Sequence, residues 1–150
     1  MSKGEQAEAL FMQGCNCSQA VASAFAEEMH MNAADVARLT IGFGGGIGRM
    51  REVCGAVSGM AFVISALYAD EGRASVYEKI QAVAEKFEAE NGSIVCRELL
   101  GLDKTGKRVP IPEPRTEQYY KKRPCAQLVH IAADILEEFL KNEFKELPKR

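Results

Sequence analysis

Apolar residues recur at three- and four-residue spacing along most of the chain, the period of a helix buried on one face. Val21, Ala24, Phe25 and Met29 share one such face. Val76, Ile80, Val83, Ala84 and Phe87 make a second; Leu128, Ile131, Ala132, Ile135, Leu136, Phe139 and Leu140 make a third that runs on to Phe144. No stretch alternates apolar with polar residues in the manner of a half-buried strand. Capping residues set the boundaries. Ser2 with Glu5 predicts the start of a first helix through Ala9 and Leu10, stopped at Gly14. Asn16 caps a second, from Cys17 to about His30, and Asn32 with Asp35 opens a third towards Ile41. A fourth is expected over 52–69, a fifth over 74–90 ended by Asn91-Gly92, and a sixth over 94–100 between Ser93 and Gly101. Pro124 opens the last. The segment 102–123, with Pro110, Pro112 and Pro114, reads as an extended, mobile surface loop. These elements predict an all-α fold: one domain over residues 1–150, a multi-helix bundle around an apolar, Gly/Ala-rich central helix.

That central stretch, Val53 to Ala69, carries no charge, and Gly55 and Gly59 form a small-xxx-small pair. It sits at the short limit for crossing a bilayer, about 17 residues, and much of it is Gly, Ala or Ser. A helix wrapped by neighbours in a soluble bundle is the better reading, and a membrane role is not expected. Glycine inside a helix costs about 1 kcal/mol relative to alanine, so both positions imply close packing of another helix or of a cofactor.

A net charge of -2 offers no basic surface for nucleic acid, and 7% aromatics without Trp offer no base-stacking platform. The opening MSKGEQAEALF lacks the basic-then-apolar pattern of a secretory signal, so a cytoplasmic protein is expected. In that reducing compartment five cysteines argue for metal binding or redox chemistry over a disulfide framework, and their odd number agrees.

Cys17, Cys54, Cys96 and Cys125 each fall within about one turn of an expected helix start. Free N–H groups and the positive end of the helix dipole favour a thiolate there. Four thiolates can hold an iron–sulfur cluster or Zn²⁺, or cycle as dithiol and disulfide. With no CxxC turn and no strand, the ranking places an iron–sulfur or related metal–thiolate site on these four residues first, a metal-free thiol redox pair or sensor second, and zinc third. A structural or interaction bundle with inert buried cysteines is the remaining alternative.

GCNCSQAV with Cys17, the glycine-rich GFGGGIGR, EVCGAVSG with Cys54, Gly55, Ala56 and Gly59, CRELLG with Cys96, and RPC with Cys125 occur in that order. This ordered set resembles a family of small redox-active proteins named for a spaced pattern of cysteine, a CGAxxG motif, cysteine and cysteine. The resemblance runs from about Gly14 to the last helix. It implies a helical fold, four characteristic cysteines and a redox role; it does not extend to Cys15, whose nearness to Cys17 suits a resolving thiol.

GFGGGIGRM is no phosphate loop, since it lacks both GK[ST] and GxGxxG. It reads equally as a tight connector or as a close backbone approach, with N–H groups facing the Cys54 sulfur or an anion. Gly45, Gly46, Arg49 and Gly55 are therefore candidate cofactor-binding residues, and Arg49 and Arg51 candidate thiolate partners, although solvation at the surface is the simpler account of both arginines. His30 and His130 belong to no metal motif; His30 is expected to offset a helix C-terminus, and His130 to be a surface or packed residue. A redox partner of unknown identity is expected, and a homo-oligomer packed through the Gly-rich central helix is the expectation of the interaction-bundle alternative.

Overall fold

The computed structural model describes residues 1–102 and 109–146. The helices are α1 (Lys3–Met12), α2 (Cys17–Ser23), α3 (Ala33–Thr40), α4 (Gly55–Tyr68), α5 (Arg73–Asn91), α6 (Cys96–Leu99), α7 (Glu117–Lys122) and α8 (Cys125–Glu146). Among the described residues there is no strand, only an isolated bridge, so the fold is all-α. Apolar α4 runs through the middle, touching α2, α5 and α8, while α1 lies along α8 and α3 along α2. Their inward faces form one core that includes Phe11, Val21, Phe25, Met60, Ile64, Val83, Phe87 and Leu136. No helix of the described residues is long and apolar enough to cross a membrane.

Three of the expected caps are present, whereas Ser93 accepts from the Val95 N–H ahead of α6 and does not cap that helix. Ser2 accepts from the Glu5 N–H, Asn32 from the Ala34 N–H, and Asn16 forms a full capping box with Gln19. Four boundaries differ from the sequence reading. α2 ends at Ser23, seven residues short of His30, because the ladder tightens: the Phe25 and Ala26 N–H groups reach back three residues to Ala22 and Ser23. The buried stripe is unaffected, since the turns still aim Phe25 and Met29 inward. His30 has φ 54° and takes the left-handed position that closes the helical turns after α2, its N–H donating to the Glu27 carbonyl and the Met31 N–H to the Ala26 carbonyl. α4 starts at Gly55 and α6 at Cys96, since the residues before each are held extended by the bridge between Val53 and Val95. The segment expected to be one loop contains α7, whose first turn is capped by Thr116 through the Tyr119 N–H. Part of that loop, 103–108, lies outside the described residues.

Gly4 sets the contact between α1 and α8. At Gly4 a Cβ would fall 2.4 Å from Asp134 Oδ1, so α1 meets α8 directly and the Gly4 N–H donates to that oxygen at 2.8 Å. Beside it His130 lies between Glu8, at 2.7 Å, and Asp134, at 3.1 Å. The hydrogen bond to Glu8 raises the imidazole pKa, with Asp134 and Glu8 charge adding to it and partial burial opposing. A raised folded-state pKa stabilises below the unfolded value of about 6.5 and loses that stabilisation as pH rises through the folded value. The pair is surface-exposed, so its contribution stays within about 1 kcal/mol. His130→Ala is expected to flatten the fall in stability between roughly pH 6 and 8, read from urea midpoints across that range; an unchanged slope would discount the pair.

Candidate functional site

All four cysteines singled out from the sequence stand at a helix entrance. Cys17, Cys96 and Cys125 are the first residues of α2, α6 and α8, and Cys54 caps α4. Backbone pairing positions two of them. Across the Val53–Val95 bridge the Cys54 N–H donates to the Ile94 carbonyl at 2.8 Å, and the Cys96 N–H to the Glu52 carbonyl at 2.6 Å. Each cysteine is one residue beyond the bridge, so the pleat sends both side chains to the same side. Gly55 admits the third: a Cβ there would lie 3.2 Å from Cys17 Cβ and 3.1 Å from the Phe43 carbonyl. α8 delivers Cys125. The four line one cavity of about 440 Å³. Cys15 is not among its described lining residues, so it does not share the cavity of the other four.

The glycine-rich segment forms one wall, through Gly44, Gly45, Gly46 and Gly48. Residues 45–49 all have φ between 56° and 73°, a left-handed turn, and Arg51 has φ 64°. Ile47, Arg49 and Arg51 are not glycine, and each costs roughly 1–2 kcal/mol in this region. Strain of this kind persists only where surrounding contacts enforce it. Here the Ile47, Gly48, Arg49, Arg51 and Glu52 N–H groups donate to the carbonyls of Phe43, Gly42, Gly44, Gly45 and Gly46. Those N–H groups are therefore engaged within the loop and do not face Cys54. The N–H groups that favour a Cys54 thiolate are those of Ala56 and Val57 in its own helix. At Gly46 a Cβ would meet the Glu52 nitrogen at 2.6 Å and Cys96 Cβ at 2.7 Å, with φ at 73°. Gly46→Ala is expected to lower stability by about 2 kcal/mol or more and to speed alkylation of Cys96; a variant with wild-type midpoint and labelling would remove the loop from the site's support.

Arginines complete the wall. Arg49, Arg51, Arg115 and Arg123 all line the cavity, so Arg49 and Arg51 are not simply solvated. Arg51 Nη1 lies 3.7 Å from the sulfur of Cys96, not of Cys54. Arg115 covers the Phe11 ring at 4.2 Å and donates to the carbonyls of Phe11 and Cys15. The one carboxylate among the described lining residues, Glu113, pairs with Arg123 and with Arg49, the latter at 3.6 Å.

The thiols differ sharply in acidity. Cys125 is lowered to about 7: the Cys17 thiol donates to its sulfur, Arg123 and Arg51 add positive charge, and the Tyr119 hydroxyl donates as well, all against the opposing effect of burial. Cys17 is raised well above the ordinary thiol value by the same hydrogen bond, in which it keeps its proton, and by burial. Burial pushes Cys54 up to about 12 despite its two backbone donors, and raises Cys96 despite Arg51. The sequence expectation of four helix-favoured thiolates is thus corrected to one. Removing a thiolate from water outweighs a helix terminus unless charged or hydrogen-bonding partners are added.

Four thiols are the donor set of zinc or an iron–sulfur cluster. Among the described residues, no three His, Cys, Asp or Glu side chains are grouped closely enough to hold a metal ion. That grouping does not match the compact four-ligand shell of a single ion.

A family model described as "Putative redox-active protein (C_GCAxxG_C_C)" matches residues 15–139. The chain belongs to that family. Every cavity-lining cysteine of this C_GCAxxG_C_C protein falls within the match. No curated protein and no solved structure matches the chain.

Sequence reasoning found the cysteines, and Gly45, Gly46, Arg49 and Gly55 line the cavity with them. It missed Arg115, Tyr119 and Arg123, which sit in what read as a loop. Thr116-Glu117, a capping residue followed by an acid, was the available signal for the helix that presents Tyr119.

Proposed function

We propose that this C_GCAxxG_C_C protein is a thiol–disulfide redox protein with Cys125 as nucleophile and Cys17 as resolving thiol. The observation that carries the reading is that Cys17 and Cys125 line one cavity with opposite shifts in acidity, Cys125 lowered to about 7 and Cys17 raised well above the ordinary thiol value. The Cys125 thiolate attacks one sulfur of a substrate disulfide R–S–S–R. The S–S bond breaks, one RS⁻ leaves, and Cys125–S–S–R forms. Cys17 then gives up its proton to solvent and attacks the Cys125 sulfur. A Cys17–Cys125 disulfide forms as the second RS⁻ departs. The substrate disulfide gains two electrons and the protein dithiol loses them.

Thiol titration before and after one equivalent of a small disulfide, with peptide mapping, tests this. Loss of two thiols as a Cys17–Cys125 bond, restored by dithiothreitol, is expected. Unchanged thiols, as inert buried cysteines require, would end the proposal.

An iron–sulfur cluster is the second reading, because four sulfurs surround one cavity and a cluster spans more space than one ion. When bound, a cluster supplies one-electron transfer; Cys17, Cys54, Cys96 and Cys125 would hold it. Anaerobic reconstitution followed by iron and sulfide analysis tests it. A colourless protein containing neither would remove this reading.

A further inference from the structure

The cavity is far more cationic than the molecule that holds it. The chain carries -2 overall, yet four guanidinium groups face this one space against the single carboxylate of Glu113 among the described lining residues. Arg51 is turned to a sulfur and Arg115 to backbone carbonyls, and neither partner carries a full negative charge as a thiol or carbonyl. Glu113 is held by both Arg123 and Arg49. Arg123 holds its carboxyl below the ordinary range, so it stays ionised. It is a carboxylate supplied by the chain itself, lining the same cavity as Cys125.

Resting on the thiol–disulfide reading, we infer that the substrate is a small disulfide bearing carboxylates, and that one of its carboxylates takes the place of Glu113 between Arg49 and Arg123. The volume, about 440 Å³, suits a low-molecular-weight molecule. The glycine-rich wall, α6 and the segment carrying Pro110 and Pro112 surround the space, which disfavours a disulfide held in a folded protein. A cationic cleft raises the local concentration of anions, and the gain falls with salt. The redox step is unchanged: Cys125 attacks the substrate sulfur, and both thiolate fragments leave as carboxylate-bearing thiols once protonated.

The test uses the reduced full chain and three disulfides: dithiodipropionate (dianionic), bis(2-hydroxyethyl) disulfide (neutral) and cystamine (dicationic). Each rate of Cys17–Cys125 bond formation is divided by that disulfide's rate with free mercaptoethanol. The expected normalised order is anionic over neutral by about tenfold or more, with the cation slowest, and with the preference shrinking as salt rises. The guanidinium groups that chiefly lower Cys125 are those of Arg123 and Arg51. Arg49→Gln is therefore expected to cut the anionic-to-neutral ratio by about threefold or more without moving the pH profile of Cys125, and Arg49→Lys to restore it. Glu113→Gln is expected to raise the ratio, since two guanidinium groups are released. Equal normalised rates for all three probes, or a ratio insensitive to these variants, would overturn the anionic substrate while leaving the thiol reading intact. No reaction with any of them would overturn both.

Discussion

Cys125→Ser is expected to abolish the fast phase of alkylation by iodoacetamide and, on the proposed thiol–disulfide reading, all reaction with a small disulfide. At pH 7 a thiol with pKa near 7 is half ionised, whereas one near 12 has roughly one part in 10⁵ as thiolate. Intrinsic nucleophilicity falls with pKa, with a Brønsted coefficient of about 0.4–0.5, and gives part of this back. The net advantage of Cys125 over Cys54 is still on the order of 10², before access is considered. The sign is fixed by the direction of the shift. A lowered pKa means the wild-type rate climbs through about pH 7 and levels above it, whereas in the variant the remaining thiols, all raised, show no inflection below the ordinary thiol range. Cys17→Ala is expected to shift the Cys125 inflection upward, because the donor to its sulfur is gone; Cys17→Ser is expected to trap the mixed disulfide. Peptide mapping of label against pH decides this. A fast phase surviving in Cys125→Ser would assign the nucleophile elsewhere.

Gly59→Leu is expected to produce the largest loss of stability. Even a Cβ at Gly59 would lie 3.0 Å from the Ser18 carbonyl and 3.0 Å from Val21 Cβ, and Val21 is fully buried. Overpacking costs about 1–3 kcal/mol where side chains can shift. Here a backbone carbonyl blocks the way, and the total stability of a domain is only about 5–15 kcal/mol. Separating α4 from α2 also withdraws Cys17, so the Cys125 inflection should move upward even in any folded fraction. Gly42→Ala is the control: nothing lies within 4 Å of that position, and its urea midpoint should stay near wild type. Equal midpoints for the two variants would remove the close α2–α4 contact as a determinant of the fold.

The helical plan was legible in the chain because each device that encodes it is local. Asn16 with Gln19 and Ser2 with Glu5 act within one turn, and the stripes on the fifth and last helices repeat at 3.6 residues. Where the sequence reading went astray, the deciding contact was long-range. Nothing near Glu52 says that Val95 will pair with Val53 and hold the chain extended. The site divides the same way. Four cysteines could be named from their helix-start setting and their order. Their inequality could not, because it depends on which sulfur meets Arg51, Arg123, Tyr119 or another thiol across the fold. The cavity wall was half visible: glycine spacing marked a tight backbone, but not that Arg49 and Arg51 would themselves adopt its left-handed conformation.

The two sulfurs of the proposed pair belong to residues 17 and 125, so joining them would tie nearly the whole chain into a ring. Cross-linking a loop of about 100 residues restricts the unfolded ensemble by an amount worth about 4.7 kcal/mol in the chain-entropy account. By thermodynamic reciprocity, whatever the bond adds to folding, folding adds to the bond. The electron affinity of the disulfide is thereby written into the rigidity of helices far from the sulfurs. A core substitution severe enough to unfold the reduced chain would make the oxidised form easier to reduce without touching the site, and the redox state of the pair would then serve as a gauge of whether the protein still holds itself together.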